Sequence, residues 1–207
     1  ISAEDGKFFS QFGKRQLSMP CALEMSNYPD FPSTKNNFFH FGAMDWMPNV
    51  NGVKWLIKEV WPKVVSEIEE AKLVIAGKNM PEDLLGINDK GVEVVGEVDD
   101  SSEFYEDNGI MLVPLLSGSG IRIKIIEGLG YGKTIVSTKI GSEGIPVESK
   151  KEIVIADDAE AFAQAMIELY SNLESRLKIG KQARLFAQEN YGTDKLSVEL
   201  LNFYNSI

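Results

Sequence analysis

The residues with the clearest potential for chemistry lie in one short stretch, residues 117–134, which reads SGSGIRIKIIEGLGYGKT. Glycines, cations and one glutamate stand close together there, and such residues commonly surround bound phosphate groups. The stretch ends in Gly-Lys-Thr, as a P-loop does, but a P-loop needs a glycine where Glu127 stands, and a carboxylate would repel phosphate. This end also follows a helical pattern and precedes a strand, which reverses the P-loop order. We therefore predict a simple turn there.

The Gly-Ser-Gly end of the stretch has the order that a phosphate site requires. It follows an apolar strand pattern and precedes a helix, which we predict to begin at about Gly120. Free backbone N–H groups and the positive end of the helix dipole bind anions, and Arg122 and Lys124 add two cations. The full G-x-G-x-x-G pattern is absent, because Ile123 stands at its last position. The alternative is a surface ion pair between Lys124 and Glu127, three residues apart on a helix.

Short apolar segments alternate with helical patterns on both sides of this stretch. Six segments are predicted to be buried strands: residues 38–43, 72–77, 92–98, 109–115, 134–138 and 152–156. A long helical pattern begins near Pro48, a short one covers 101–106, and three close the chain at 159–171, 173–190 and 193–205. Continuous apolar strands between helices are typical of a parallel sheet covered on both faces. The sequence therefore predicts an α/β fold with a Rossmann-like, doubly wound parallel sheet.

In such a sheet, ligands bind outside the carboxyl ends of the strands, at the point where the strand order reverses. This rule indicates three loops, at residues 42–49, 77–81 and 115–120. Asp45 in the first loop is a candidate site residue. Trp46 beside it is equally compatible with ligand contact and with packing, whereas Trp55 and Trp61 lie in a helical pattern and are predicted to pack.

Other polar residues have a simpler structural interpretation. His40, the only histidine, lies in an apolar strand and is expected in the core rather than as a catalytic base. The pairs Asp99-Asp100 and Asp157-Asp158 precede helical patterns, where aspartate commonly caps the helix N-terminus. No group of histidines and cysteines is present that would bind a metal.

Composition restricts the classes of partner. The chain of 207 residues has 31 acidic and 21 basic residues and a formal net charge of −10, which disfavours a nucleic-acid partner. Its single cysteine permits no internal disulfide and favours a reduced, cytoplasmic setting. No signal peptide and no apolar run long enough for a transmembrane segment is present. The chain begins at Ile1 rather than Met, so we expect a fragment of a longer protein.

Several blocks resemble the C-terminal, donor-binding domain of the GT-B glycosyltransferases of family 4, a retaining, two-domain family. FFHFGAMDWMPNVNGVKWLIKEVWPKV is similar to the first strand–helix unit of that domain, and KLVIAG and VEVVGEV are similar to its next two strands. VPLLSGSGIRIKIIEGLGYGKTIVSTKIGSEGI is similar to its signature block. The resemblance covers residues 38–191 and implies a UDP- or GDP-sugar as donor substrate, with no cofactor and no obligatory metal.

The resemblance also implies individual roles. Glu127 accepts hydrogen bonds from the donor ribose, and Arg122 and Lys124 bind the diphosphate, whose charge grows as the glycosyl bond breaks. The remaining donor-binding residues lie in the first loop, the third strand and the glycine turn: Gly42, Val95, Gly96, Gly118, Ser119, Gly120 and Ile121. Val95 and Gly96 would contact the base, mostly through backbone. The family usually has a second glutamate where Ser119 stands, so the resemblance leaves the sugar open.

The same resemblance divides the chain. Residues 1–24 are expected to be the tail of an N-terminal acceptor-binding domain, 25–37 a linker, 38–191 the nucleotide-sugar-binding domain and 192–207 a C-terminal helix. The expected function is the donor-binding part of a retaining glycosyltransferase that moves a sugar to a hydroxyl acceptor and is inactive without the acceptor domain. The alternative is a non-catalytic nucleotide-binding or interaction module; a flavodoxin-like redox or receiver domain fits less well.

Overall fold

The computed structural model describes residues 11–13 and 16–206 of the chain. Within these ranges six strands form one sheet: β1 (Phe38–Phe41), β2 (Leu73–Ala76), β3 (Val92–Gly96), β4 (Ile110–Val113), β5 (Thr134–Ser137) and β6 (Val154–Ile155). The α-helices of the same ranges are α1 (Met47–Trp55), α2 (Trp61–Glu67), α3 (Glu82–Leu85), α4 (Ser101–Asp107), α5 (Ile123–Gly130), α6 (Ala159–Ser171), α7 (Leu173–Tyr191) and α8 (Thr193–Asn205).

The sheet has the strand order β3-β2-β1-β4-β5-β6, and every neighbouring pair is parallel. Phe38 at the start of β1 lies opposite Leu73 of β2 on one side and Ile110 of β4 on the other. The order therefore reverses between β1 and β4, which is the switch point of a doubly wound sheet. This confirms the predicted fold class.

Side chains alternate across the sheet and form two separate cores. Phe38 packs with Trp61 and Phe162 on the face covered by α1, α2 and α6. Its neighbour Phe39 packs on the opposite face with Tyr105 of α4, and the same core includes residues of α5 and α7. Successive strand residues point to opposite faces, so a strand covered on both faces must be apolar at every position, as β1 and β4 nearly are.

The first long helical pattern is not one continuous helix. A π-helical turn, Leu56–Val60, separates α1 from α2, and Pro62 stands at the beginning of α2. Proline has no N–H to donate and its ring displaces the carbonyl four residues earlier, so the widened turn occurs where it is needed. Trp61 donates from Nε1 to the carbonyl of Lys90, and Trp55 packs edge-on against Phe162, so both tryptophans pack as predicted.

One strand is much shorter than predicted. The strand predicted for residues 152–156 is reduced to Val154–Ile155 at the edge of the sheet, where it pairs with β5. The three closing helices have nearly the predicted bounds. No helix of the described residues is long and apolar enough to cross a membrane.

Half of the segment predicted as the tail of another domain, residues 1–24, lies outside the described residues. Its end is described: the backbone N–H of Leu23 donates to the carbonyl of Tyr191, and the N–H of Thr193 donates to the carbonyl of Leu23. In the predicted linker, Tyr28 packs edge-on against Tyr131 at 4.7 Å between ring centroids. This segment therefore crosses the surface of the sheet domain in contact with it.

Candidate functional site

A cavity of about 410 Å³ lies at the carboxyl edge of the sheet, between the loop after β1 and the segment after β4. Its lining includes Gly42, Trp46 and Asn49 from the first loop and Ser119, Ile121, Arg122, Lys124 and Glu127 from the second segment. The cavity therefore lies at the strand-order reversal, where two of the three predicted loops meet.

The glycine turn differs from the prediction. Gly118 has φ +113° and Gly120 has φ +88°, which the right-handed helix excludes and which L side chains rarely adopt. Helix α5 consequently begins at Ile123 rather than Gly120, and Arg122 is its N-cap residue with extended backbone angles. Arg122 therefore precedes the first helical turn in which we predicted it. Gly118 also has a spatial role, because a Cβ there would lie 2.8 Å from the Trp46 ring.

The Arg122 side chain is 4% exposed and incompletely paired. Its Nη1 donates to the carbonyl of Gly120, and its guanidinium lies 5.0 Å from the centroid of the Trp46 ring, in a cation–π arrangement. Among the described residues, its Nε and Nη2 have no hydrogen-bond partner. Burial lowers the pKa of the guanidinium, although the Glu143 carboxylate acts in the opposite direction. Buried donors without acceptors are costly, so this group favours an anion beside it.

Lys124 faces the same cavity and belongs to a chain of hydrogen bonds. Its Nζ donates to Oδ1 of Asn49 at 2.7 Å, and Nδ2 of Asn49 donates to the carbonyl of Ala43 at 2.7 Å. Burial, and repulsion from Arg122, lower the pKa of Lys124 to about 7. Among the ion pairs of the described residues, none joins Lys124 to Glu127. The alternative of a surface ion pair is therefore wrong.

Gly42 leaves the room that the Lys124 ammonium occupies. A Cβ at Gly42 would lie 2.5 Å from Nζ of Lys124 and 2.8 Å from Nδ2 of Asn49. Both distances are shorter than ordinary van der Waals contacts, so any larger residue would displace the two side chains. The first loop thus approaches α5 closely because it has no side chain at this point.

Glu127 places a half-buried carboxylate at the other end of the cavity. Burial raises its pKa, and a hydrogen bond with Tyr105 opposes that rise. The cavity therefore has two cations near the glycine turn and one carboxylate a helical turn further along α5. This arrangement suits a ligand with an anionic part and a hydroxyl-bearing part.

Five predicted site residues do not line this cavity. Gly118 and Gly120 flank Ser119, which does line it. Val95 and Gly96 end β3, which is separated from β1 by β2, and Asp45 accepts a hydrogen bond from Asn79 at 3.3 Å. The loop at residues 77–81 instead supports the first loop, because Gly77 packs directly against Gly42 and donates to the carbonyl of Gly96.

Sequence reasoning did not identify two residues of the site, Asn49 and Tyr105. Asn49 is buried at the start of α1, and a polar residue within a predicted ligand-side loop was the signal for it. Tyr105 lies on α4, and the sequence gives no sign that its hydroxyl donates to the carbonyl of Lys124 in α5. Trp46, for which both interpretations were open, packs on Arg122 at the cavity wall.

The other polar residues have the structural roles that we predicted. His40 is fully buried, and its Nδ1 lies 2.9 Å from the carbonyl oxygen of Leu112. Burial holds the pKa of His40 well below its usual value. Asp100 caps α4 and Asp158 caps α6. No group of three His, Cys, Asp or Glu residues that could hold a metal ion occurs in the described part of the chain.

Four larger cavities lie elsewhere in the described part of the chain. The two largest, of about 790 and 690 Å³, include Lys195 near the start of α8 and Lys139 after β5, respectively. Both lysines are exposed to solvent, which screens their charge. The cavity of about 410 Å³ is the better candidate. Its cations are buried and therefore interact more strongly with a ligand.

Comparison with known protein families gives one family match. The model of the family described as "Glycosyl transferases group 1" matches residues 35–172. A curated relative, an uncharacterized 44.6 kDa protein in the cps region of Klebsiella pneumoniae, is 31% identical over 178 residues. That match covers 82% of this chain and 46% of the relative, so the chain spans about half of its length.

Solved structures share the fold. A TarM variant from S. aureus, crystallised with fondaparinux, alpha-GlcNAc-glycerol and UDP, has a TM-score of 0.77 at 19% identity. The match covers 99% of this chain and 43% of that one. The C-terminal domain of a group 1 glycosyl transferase (LpcC) from Francisella tularensis has a TM-score of 0.61 at 16% identity, with 84% of this chain and 96% of that domain covered.

Proposed function

The chain belongs to the group 1 glycosyltransferases, and we propose that it is the donor-binding domain of a retaining enzyme. The enzyme would transfer a sugar from UDP or GDP to a hydroxyl acceptor. An acceptor-binding domain outside this chain would complete it, since the chain spans about half of its curated relative. The same proposal makes residues 25–37 the linker to that acceptor-binding domain and residues 192–207 a C-terminal helix.

The observation that carries the proposal is the unpartnered guanidinium of Arg122. Its Nε and Nη2 are buried without acceptors beside the cavity, and Lys124 places a second cation there. A diphosphate has enough oxygens to accept from both side chains, and such charge-assisted bonds are among the strongest in proteins. UDP in the TarM complex supports the choice of a nucleoside diphosphate.

The remaining assignments follow the shape of the cavity. Glu127 would accept from the ribose hydroxyls, because an ionised carboxylate accepts hydrogen bonds and donates none. Gly118 and Gly120 shape the turn that exposes the backbone around Ser119, so that it can approach the phosphates or the sugar. The base would extend toward Val95 and Gly96 along the carboxyl edge, mostly in contact with backbone, and Asp45 would lie near its path.

The proposed chemistry depends on charge that develops in the leaving group. Arg122 and Lys124 would stabilise the diphosphate as the glycosyl bond breaks, which lowers the barrier if their contacts strengthen in the transition state. We propose no obligatory metal, because these two cations supply positive charge at the diphosphate. The diphosphate itself would take the proton of the acceptor hydroxyl.

Nucleoside diphosphates are expected to stabilise the chain against thermal unfolding. A ligand at about 100 times its dissociation constant adds roughly 2.7 kcal/mol, which a thermal-shift panel of UDP, GDP, ADP and their sugars measures. Absence of any shift at millimolar nucleotide would contradict the proposal. If the complete protein binds nucleotide and transfers no sugar, the non-catalytic alternative is favoured instead.

Binding of UDP is also expected to weaken as pH rises from 7.5 to 9. The pKa of Lys124 is about 7 in the free chain, so its amine is mostly neutral above pH 7.5, whereas a bound diphosphate would raise that pKa, so that binding takes up a proton. Each pH unit should then weaken binding by up to about tenfold. Lys124→Arg stays charged throughout and is expected to give a flatter profile. Equal pH dependence in both proteins, measured by titration calorimetry, would contradict the role of Lys124.

The unliganded chain should show the opposite dependence on pH. The folded state binds the Lys124 proton less tightly than the unfolded state, so this residue destabilises the fold when it is protonated. Its contribution to the free energy of unfolding therefore rises as pH increases from about 7 toward the usual lysine pKa. Opposite trends for folding and for ligand binding are typical of a residue placed for its ligand.

A further inference from the structure

Asn49 is a buried polar residue of the cavity wall to which the proposed function gives no role. It lies near the start of α1 and is 4% exposed. Asparagine is mostly exposed in folded proteins, and where it is buried its amide is hydrogen-bonded. The partners of the Asn49 amide therefore indicate why a polar side chain stands at this point.

These two partners fix the orientation of the amide. Nδ2 donates to the carbonyl oxygen of Ala43 at 2.7 Å, and Oδ1 accepts from Nζ of Lys124 at 2.7 Å. A carbonyl oxygen can only accept and an ammonium can only donate. The amide cannot be turned over without the loss of both bonds, so its oxygen must face Lys124.

The first loop holds this arrangement against the sheet. The N–H of Gly42 donates to the carbonyl of Ala76 at the end of β2 at 3.0 Å. A Cβ at Gly42 would lie 2.8 Å from Nδ2 of Asn49 and 2.5 Å from Nζ of Lys124, so the loop backbone packs against both groups. Lysine has a long, flexible stem. Asn49 and the loop together restrict where the charge of Lys124 lies.

An amide oxygen can position a cation without neutralising it. In the part of the chain that the structure describes, the Lys124 ammonium donates to Asn49 and forms no ion pair with a carboxylate. Two of its three N–H donors remain for a ligand. We propose that Asn49 is a positioning residue that holds the Lys124 ammonium toward the diphosphate and leaves its charge free for that ligand. This inference rests on the proposed function.

Three other titratable groups surround the ammonium. Burial, and then repulsion from Arg122, lower the pKa of Lys124 to about 7. His40 of β1 is neutral, because burial and then the charge of Lys124 hold its pKa well below its usual value. Glu127 lines the same cavity, and burial raises its pKa. Position 49 is therefore the place where a carboxylate can be introduced in direct contact with Lys124.

The test measures the affinities of the 207-residue chain for UDP and inorganic pyrophosphate by titration calorimetry. Asn49→Leu keeps the approximate size of the side chain and removes both hydrogen bonds. We expect it to weaken both ligands by about three- to tenfold. Asn108→Leu is the matched control, because Asn108 is also buried but bonds to the carbonyl of Phe104, and neither lines the cavity. It should lower the melting temperature and leave both affinities unchanged.

Asn49→Asp separates a positioning role from a structural one. The carboxylate keeps the shape of the amide but pairs with the ammonium. It should weaken UDP at pH 7.5 by about tenfold, because it competes with the diphosphate for Lys124. The paired ammonium keeps its proton, so UDP affinity should no longer fall between pH 7.5 and 9, whereas in Asn49→Leu it still falls. A pH profile of Asn49→Asp equal to that of the unaltered chain would overturn the proposal, even if Asn49→Leu did not fold.

A double-mutant cycle completes the test. In a Lys124→Ala background, Asn49→Leu should have no further effect on pyrophosphate affinity, because Asn49 acts through Lys124. A further loss in that background, or unchanged affinities in both Asn49 variants, would overturn the role of Asn49 and leave the donor site intact. If the unaltered chain binds neither UDP nor pyrophosphate, the donor site and the role of Asn49 are both overturned.

Discussion

Replacing Arg122 by alanine is expected to weaken UDP and pyrophosphate binding by about ten- to a hundredfold, because a charge-assisted bond contributes about 1.5–3 kcal/mol. The unliganded variant should be about as stable as the unaltered chain. The guanidinium is buried with two of its nitrogens unpartnered, so its removal eliminates a desolvation cost along with the Trp46 contact. Titration calorimetry and urea unfolding measure the two effects.

Arg176 provides the matched control, because it is an equally buried arginine with partners. Its guanidinium donates to the carbonyls of Leu169, Tyr170 and Thr34. Arg176→Ala should therefore reduce the free energy of unfolding by about 1.5–3 kcal/mol and leave UDP affinity unchanged. If Arg122→Ala gave the same pattern as Arg176→Ala, Arg122 would be a structural residue and the diphosphate assignment would fail.

Replacing Glu127 by alanine is expected to separate nucleotide binding from phosphate binding. UDP should weaken by about ten- to a hundredfold, because the ribose hydroxyls lose a charged acceptor. Pyrophosphate should bind unchanged or slightly more tightly, because a nearby negative charge has been removed. Calorimetric titration of one variant with both ligands measures the ratio directly.

Lys124→Ala is the companion variant for this experiment. It should weaken both ligands, and its effect should shrink as salt increases, because charge contacts are screened. The Glu127→Ala effect on UDP should depend less on salt, since the ribose carries no charge. Equal losses of UDP and pyrophosphate in Glu127→Ala would contradict the ribose assignment.

The sequence by itself determined the fold class and indicated where the candidate site lies. Apolar runs such as the one that forms β4 bury both faces of a strand, and glycines such as Gly118 mark turns, and both are local properties of the chain. The order of strand, glycine turn and helix then indicates the loop where an anion can bind. For this reason the residue pattern alone is enough to identify Arg122 and Lys124 as candidates, and the resemblance to the family adds Glu127.

Local patterns did not determine the first residue of α5 or the continuity of α1 and α2. The helical pattern that predicts α5 extends back to Gly120. Gly118 and Gly120, however, adopt backbone angles that an α-helix excludes. The helical pattern through α1 and α2 is continuous, and only the Pro62 ring forces the wider turn between the two helices. Each boundary results from a steric restriction that hydrophobic periodicity does not express.

Only the tertiary structure decided which polar groups have partners. Lys124 bonds to Asn49, which is 75 residues earlier in the chain, and its backbone carbonyl accepts from Tyr105 of another helix. Arg122 has no partner for two of its nitrogens in the part of the chain that the structure describes. The sequence shows the type of each residue. Whether its donors and acceptors have partners depends on which atoms the fold brings within about 3 Å. Burial of these groups, which makes an unmet bond costly, likewise exists only once the two faces of the sheet are covered.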